Sequence, residues 1–145
     1  MSLHIGAIVV LLILSAFFSA SETAFTSLSF LQIRMLETSR KRSCKTAAAL
    51  ANKPDVLLTT ILIGNNIVNI TASALTTTLA ISIGGNAAVG IGTGVLTFLI
   101  LIFGEITPKH LAISFNTTIA CFAAYPIKTM IFLLLSIVYT GFIIS

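Results

Sequence analysis

Two long stretches of this chain carry no strongly charged side chains, and short polar segments flank them. Residues 3–20 contain no Asp, Glu, Lys or Arg, and residues 56–104 form a run of 49 residues that also lacks His. About 20 helical residues cross the hydrocarbon core of a bilayer. The first stretch therefore predicts one transmembrane helix over residues 3–25, and the second has room for two, over residues 55–81 and 86–110.

Turn and proline signals mark the ends of these helices. Pro54 follows Lys53, and proline is favoured in the first turn of a helix, so the second span is predicted to begin there. The run Ile-Gly-Gly-Asn at residues 83–86 is a turn sequence and predicts the reversal between the second and third spans. For the first helix, a cleavable signal peptide ending near the small residues 19–21 is the alternative, but the usual basic start is missing.

The segment between the first two spans combines a short apolar stripe with most of the positive charge. Six of the eight basic residues lie between residues 34 and 53. Because cytoplasmic loops are rich in Lys and Arg, this segment is predicted to be cytoplasmic and the N-terminus to be outside. An amphipathic juxtamembrane helix over residues 28–52 fits the pattern, and a solvated connector fits it equally well. The stripe consists of Leu28, Leu31, Met35 and Leu36.

The C-terminal segment, residues 115–145, is apolar enough for a further span. A single span would place Pro126 and Lys128 near the bilayer centre, where a helix break and a cation are both costly. The pattern therefore favours two juxtamembrane helices that form a belt at the cytoplasmic surface, with the Lys128 side chain reaching toward water. A kinked fourth span is the alternative.

Composition sets the class of protein. The chain is 57% hydrophobic and 8% charged, with a mean hydropathy of +1.09, which excludes a soluble globular domain. The net charge of +4 comes mainly from the basic segment predicted to be cytoplasmic, so it is explained by membrane topology. No nucleic-acid partner is expected. Cys44 and Cys121 stand alone without metal-site spacing, and no disulfide is predicted. We therefore predict a single all-α domain over residues 1–145, multi-pass in the lipid bilayer of the cell membrane.

The first polar cluster lies at the end of the first span. Ser19 and Glu22 have the spacing of a capping box, which predicts that one helix stops and another begins there. Ser19 and Ser21 would lie on different faces of a continuous helix, but both can point one way if it unwinds. Broken helices deep in a membrane are where transporters coordinate ions. The alternative is that these hydroxyls bond back to their own helix.

The second cluster places Asn65, Asn66 and Asn69 in an otherwise aliphatic run. Asn66 and Asn69 are three residues apart and Asn65 and Asn69 four apart, so at least two share a helix face. A single asparagine in a span usually makes an interhelical hydrogen bond. Three of them within five residues suggest a shared polar partner.

The third cluster is the run from Gly104 to Lys109. Pro108 has no N–H to give to the carbonyl four residues back, so on a helix the Gly104 carbonyl oxygen is left free beside the Glu105 carboxylate. The alternative is an ordinary helix end at which Glu105 pairs with Lys109.

The common partner of the three clusters is predicted to be a cation. Burying these amides and carboxylates without a partner would cost several kcal/mol. Their donor atoms are all oxygens, which disfavours soft and borderline metals. Mg²⁺ suits near-octahedral oxygen ligation, and Na⁺ is the other candidate.

Together the three stretches, residues 19–24, 64–66 and 104–109, resemble the signature motifs of the CorC/CNNM (cyclin M) family's transmembrane domain, also called the DUF21 domain. The resemblance covers nearly the whole chain. It implies a homodimeric Mg²⁺ transporter that is associated with efflux and coupled to Na⁺. Family members normally continue into cytoplasmic CBS domains, which this chain lacks, so it looks like an excised membrane domain.

The resemblance also implies a set of metal ligands and no catalytic residues. Glu22 is interpreted as a helix cap, which leaves one carboxylate and one net positive charge at an Mg²⁺ site. Two other functions remain open: a membrane anchor and dimerisation module, and a Na⁺-coupled exporter of another substrate. The expected ligands are Ser19, Ser21, Asn66, Asn69, Gly104 and Glu105.

Overall fold

The computed structural model describes residues 2–144 and is 93% helical, which confirms the predicted all-α class. A short π-helical segment, Ile100–Ile106, separates the fourth and fifth α-helices. The α-helices are α1 (Ser2–Thr26), α2 (Phe30–Glu37), α3 (Arg42–Ala51), α4 (Pro54–Leu99), α5 (Thr107–Ser114) and α6 (Asn116–Ile144).

Three helical stretches are long and apolar enough to cross a membrane: Ser2–Thr26, Pro54–Ser114 and Asn116–Ile144. Large apolar side chains point outward along them, as at Leu3, which is 81% exposed, and Phe142, also 81% exposed. Such contiguous apolar surface is stable in contact with lipid and not with water. The predicted multi-pass membrane protein is confirmed.

Gly85 interrupts the longest stretch. As one straight rod, its 61 residues would extend about 90 Å, three times the thickness of the hydrocarbon core. Gly85 has φ 73° and ψ −151°, a conformation that lies outside any helix and that glycine adopts at low cost. This residue falls within the turn predicted over residues 83–86.

The helical arms on either side of Gly85 fold back on each other. A Cβ atom placed on Gly92 would lie 3.4 Å from the Ala80 Cβ and 3.6 Å from the Thr76 Cγ2. Small residues at such positions let two membrane helices pack closely. Residues 64–111 therefore form an antiparallel helical hairpin, which we call the α4 hairpin.

The chain divides into two compact units. The first contains α1 as far as Ala20 together with Gly64–Leu111, and the second contains Ser21–Ile63 together with the chain from Ala112 onward. The first unit thus holds the α4 hairpin, and the second holds α2, α3 and α6.

α3 and α6 pack through alanines in the second unit. Ala47 and Ala48 of α3 and Ala123 and Ala124 of α6 are all fully buried, and side chains this small allow the two backbones to approach closely.

A disulfide bond between Cys44 and Cys121 joins the same two helices, with their Cα atoms 4.5 Å apart. The prediction of unpaired cysteines is wrong. The two residues are 77 positions apart, so their proximity depends on how α3 and α6 pack and not on local spacing.

Hydrogen bonds fix the start of α2 and of α6. The Gln32 backbone N–H donates to the Ser29 hydroxyl, and the Ser29 N–H donates to the Gln32 side chain, which is a capping box. Asn116 caps α6 by accepting a bond from the Thr117 N–H at 2.8 Å. The Asn116 and Gln32 side-chain amides also pair reciprocally, with both bonds at 3.1 Å.

The predicted helix break at residues 19–22 is wrong, because α1 runs unbroken from Ser2 to Thr26. No Gly or Pro occurs between residues 15 and 26, so nothing in the local sequence ends the helix. The Ser–x–x–Glu spacing at Ser19 and Glu22 is therefore incidental, and Glu22 does not cap a helix.

The predicted break at Pro126 is also wrong, since α6 is one helix through this residue. Pro126 lies on the exposed side of α6, whereas Ile127 is fully buried. Packing of the buried face therefore holds the helix together across one missing hydrogen bond, as is common in membrane helices.

The single juxtamembrane helix predicted over residues 28–52 is two helices, α2 and α3. The helix stops at Thr38, whose hydroxyl donates to the Met35 carbonyl at 3.0 Å. The Ser39 hydroxyl then accepts a bond from the Lys41 N–H. Ser and Thr side chains that bond the nearby backbone in this way compete with helix continuation.

Candidate cation site

Ser15 is the centre of a polar cluster in the first unit. It lies on α1 and is 1% exposed. Its hydroxyl donates to the Asn69 Oδ1 at 3.0 Å and lies 3.4 Å from the Asn65 Oδ1. Because Asn65 and Asn69 are four residues apart, both amides project from the same face of α4.

Gly104 brings a third chain segment to the same point. A Cβ atom built on it would lie 3.0 Å from the Ser15 hydroxyl oxygen and 3.4 Å from the Ser15 Cβ. A side chain at position 104 would therefore displace Ser15. The close approach of these backbones depends on glycine.

The register of the α4 hairpin brings the end of its second arm back alongside its first arm. Ala80 and Gly92 face each other across the hairpin. Gly104 is twelve residues beyond Gly92, and Val68 is twelve residues before Ala80. The segment around Gly104 therefore runs alongside the segment that carries the asparagines.

A π-helical turn surrounds Gly104 and Glu105. The Thr107 N–H donates to the Ile102 carbonyl, five residues back. Pro108 follows and has no N–H for the Gly104 carbonyl. Single π-turns within α-helices occur frequently at functional sites, because they widen the backbone and redirect its polar groups.

Ser19 extends the cluster by one helical turn. It lies four residues after Ser15, hence on the same face of α1, and is 1% exposed. Within residues 2–144, no atom lies at hydrogen-bond distance from its hydroxyl oxygen. Leaving a buried hydroxyl unsatisfied costs about 1–3 kcal/mol. The Ser19 oxygen is therefore a candidate to contact a bound ion.

Two amide oxygens of the cluster face the same hydroxyl group. The oxygens of Asn65 and Asn69 both approach the Ser15 hydroxyl, which has only one hydrogen to donate. Two amide oxygens with partial negative charge thus converge on a single hydroxyl hydrogen. A hard cation satisfies such an arrangement, because it accepts electron density from several oxygens at once.

Two of the predicted ligands, Asn69 and Gly104, take part in these contacts. Ser19 is buried one turn away on the same face of α1, and Glu105 is half-buried beside Gly104.

The other two predicted ligands, Asn66 and Ser21, take no part in these contacts. Asn66 is exposed. Ser21 is buried, but it follows Ser19 by two positions on a continuous helix, so it points about 200° away around the helix axis.

Sequence reasoning missed two members of the cluster, Ser15 and Asn65. A signal for both was present, because Ser15 and Ser19 are four residues apart, as are Asn65 and Asn69. On continuous helices this spacing puts each pair on one face. The mistaken break at residues 19–22 concealed it for the serines.

These features define a class of protein: a multi-pass helical membrane domain with oxygen-bearing side chains gathered inside the lipid-facing shell. The chain belongs to the cyclin M family, because the model of the cyclin M transmembrane N-terminal domain matches residues 6–144.

Bacterial and plant relatives share this domain. The chain is 40% identical over 124 residues to a UPF0053 protein of Haemophilus influenzae, covering 86% of this chain and 30% of the relative. It is 39% identical over 126 residues to the UPF0053 inner membrane protein YfjD of Escherichia coli, covering 87% and 29%. A chloroplastic DUF21 domain-containing protein of Arabidopsis thaliana is 42% identical over 120 residues, covering 81% and 18%. The chain thus spans less than a third of the length of these relatives.

Proposed function

We propose that this chain is the membrane domain of a Mg²⁺ transporter and that the Ser15 cluster binds the transported ion. The observation that carries the proposal is the unsatisfied, buried Ser19 hydroxyl beside converging serine and asparagine oxygens. An ion bound there would satisfy Ser19 and the surplus amide oxygen together. The proposed ligands are Ser15, Ser19, Asn65, Asn69, the Gly104 carbonyl and Glu105.

The charge of this ligand set fits an ion that must be released. Glu105 is the one carboxylate in the set, and the other ligands are neutral. A single carboxylate would leave a bound Mg²⁺ with one net positive charge, so the site holds the ion without full neutralisation. The all-oxygen ligand set also matches the preference of Mg²⁺ for hard ligands.

The rest of the transport cycle is part of the same proposal. We place the domain in the inner or plasma membrane, by analogy with the inner membrane relative, and we propose Mg²⁺ efflux by a homodimer, driven by Na⁺. Because the relatives are much longer, the full-length protein is proposed to add cytoplasmic CBS domains.

Replacing Ser19 and Glu105 tests the proposal. Mg²⁺ flux into proteoliposomes should fall to near background for Glu105→Ala, because the carboxylate supplies the only negative charge of the site. Ser19→Ala should lower the Mg²⁺ affinity, measured by thermal stabilisation, about tenfold, as expected for one lost ion contact of about 1.4 kcal/mol. Without Mg²⁺ it should not lower the unfolding temperature, since it removes an unsatisfied hydroxyl.

Ser21→Ala is the matched control, because it makes the same change at a buried position on another face of α1. Undiminished flux in Glu105→Ala, or equal effects of Ser19→Ala and Ser21→Ala on Mg²⁺ stabilisation, would refute the assignment of the site.

One observation favours a second candidate function, a membrane anchor and dimerisation module. The Ser15–Asn69 hydrogen bond already joins α1 to α4 without any ion. If the cluster only links helices, Mg²⁺ will not raise the unfolding temperature of the unmodified chain at any concentration, whereas Asn69→Leu will lower it.

A further inference from the structure

Three lysines converge on one cavity in the second unit. Lys45 of α3, Lys53 just after the end of α3 and Lys128 of α6 line a cavity of about 360 Å³. All three lysine side chains are exposed. The other residues that line the cavity within the described chain are Thr46, Ala49 and Leu50.

The packing of α3 against α6 holds these lysines in place. Lys45 and Ala49 are four residues apart on one side of α3, and Lys53 follows in the turn between α3 and α4. On α6, Lys128 follows the fully buried Ile127. The Cys44–Cys121 disulfide fixes the two helices together, which holds the backbones that carry Lys45 and Lys128 close to each other.

An apolar groove lies between the start of α4 and the second half of α6, directly after Lys53 and Lys128 along the chain. The groove has a volume of about 350 Å³ and begins at Asp55, two residues after Lys53. On α6 it begins at Ile131, three residues after Lys128. Its other lining residues are Val56, Thr59, Thr60, Ile63, Leu134, Leu135 and Val138.

The lysine cavity lies where two uncharged apolar runs of the chain begin. Lys53 is the last cation before the uncharged run of residues 56–104, and Lys128 is the last before the uncharged residues 129–145. Lysines at the boundary of an apolar segment keep the ammonium group at the interface and the stem in the apolar layer.

We infer that the lysine cavity and the groove together bind one anionic glycerophospholipid of the phosphatidylglycerol type. Lys45, Lys53 and Lys128 contact the phosphodiester, and one acyl chain lies in the groove. Asp55 reduces the local charge, which leaves a surplus of positive charge for a monoanionic headgroup. Basic pockets between helices on the cytoplasmic side are suited to such headgroups.

The apolar groove distinguishes a lipid from a soluble phosphate compound. A free anion would contact the lysines and leave the apolar groove empty, whereas a lipid would contact both. The site is also independent of the proposed ion transport, because all of its residues belong to the second unit and the cation cluster belongs to the first.

Native mass spectrometry and thermal unfolding in neutral detergent micelles test the inference. Dioleoyl phosphatidylglycerol should bind at one saturable site per chain and raise the unfolding temperature. Dioleoyl phosphatidylcholine, inorganic phosphate and the free headgroup glycerophosphoglycerol should do so far more weakly. Equal protection by inorganic phosphate would instead identify a soluble-anion site, and equal protection by phosphatidylcholine would exclude recognition of charge; either result overturns the inference.

Paired variants separate the site from general surface charge. Lys53→Gln combined with Lys128→Gln should weaken phosphatidylglycerol binding about 30-fold, which corresponds to roughly 2 kcal/mol for two lysines. The matched control is Arg40→Gln with Lys41→Gln, which removes the same charge outside the cavity and should change binding less than about threefold. Val138→Trp, which fills the groove from an exposed position, should also weaken binding. Equal losses in the two double variants, or full binding by Val138→Trp, would contradict the inference.

Discussion

At the scale of single residues, two features of the candidate site stand out: the absence of a side chain at Gly104 and the unsatisfied hydroxyl of Ser19. Gly104 has no side chain, and only this lets its backbone approach the Ser15 hydroxyl. Ser19 has no hydrogen-bond partner within residues 2–144 although it is buried. Both features depend on tertiary packing, so the sequence indicated which types of residue matter but not which serine or asparagine faces the cluster.

Gly104→Ala should impair both Mg²⁺ binding and the stability of the fold. The added methyl group would meet the Ser15 oxygen at 3.0 Å and push it away from Asn69. We expect Mg²⁺ affinity, measured by thermal stabilisation, to fall about tenfold, and the ion-free protein to lose about 1–3 kcal/mol from overpacking.

Gly94→Ala is the control, since a Cβ atom there meets nothing within 4 Å in the described part of the chain. If Gly104→Ala binds Mg²⁺ as well as Gly94→Ala does, the close approach at position 104 is unrelated to the ion.

At the scale of helices, the sequence predicted where apolar helices lie better than where they end. Hydrophobic length located the spans, and the glycine pair located the turn at Gly85, because a strong local signal specifies each of them. The unbroken course of α1 at residues 19–22 and of α6 at Pro126 could not be predicted, since packing decides whether a local break signal takes effect. The split between α2 and α3 depends on hydroxyl–backbone bonds at Thr38 and Ser39, which a stripe of apolar residues does not reveal.

The disulfide between α3 and α6 should make the second unit sensitive to reductant. Breaking the Cys44–Cys121 bond frees a loop of about 77 residues in the unfolded state, and loss of such a crosslink typically costs about 2–5 kcal/mol. We expect dithiothreitol to lower the unfolding temperature of the purified chain, and alkylation followed by mass measurement to show two thiols only after reduction.

The double variant Cys44→Ser with Cys121→Ser provides the control, because its unfolding temperature should be low and independent of dithiothreitol. Two free thiols in the unreduced, air-purified chain would show that the bond does not form.

At the scale of the whole molecule, composition alone determined the class. A chain with 57% hydrophobic and 8% charged residues has too little polar surface to fold in water, and the three apolar helical stretches bear this out. The family match over residues 6–144 agrees with the resemblance carried by the three motifs at residues 19–24, 64–66 and 104–109. The division into two units and the lysine cavity could not be predicted, because both depend on contacts between distant segments.

The most direct test of the cation site is a comparison of Mg²⁺ binding by Asn69→Leu and Asn66→Leu, measured as Mg²⁺-dependent thermal stabilisation in micelles. Both variants replace an amide on the same turn of α4, but Asn69 contacts Ser15 and Asn66 is exposed. We predict that Asn69→Leu loses most of the Mg²⁺ stabilisation and that Asn66→Leu retains it. Retention by Asn69→Leu, or equal loss in both variants, would contradict the proposed site.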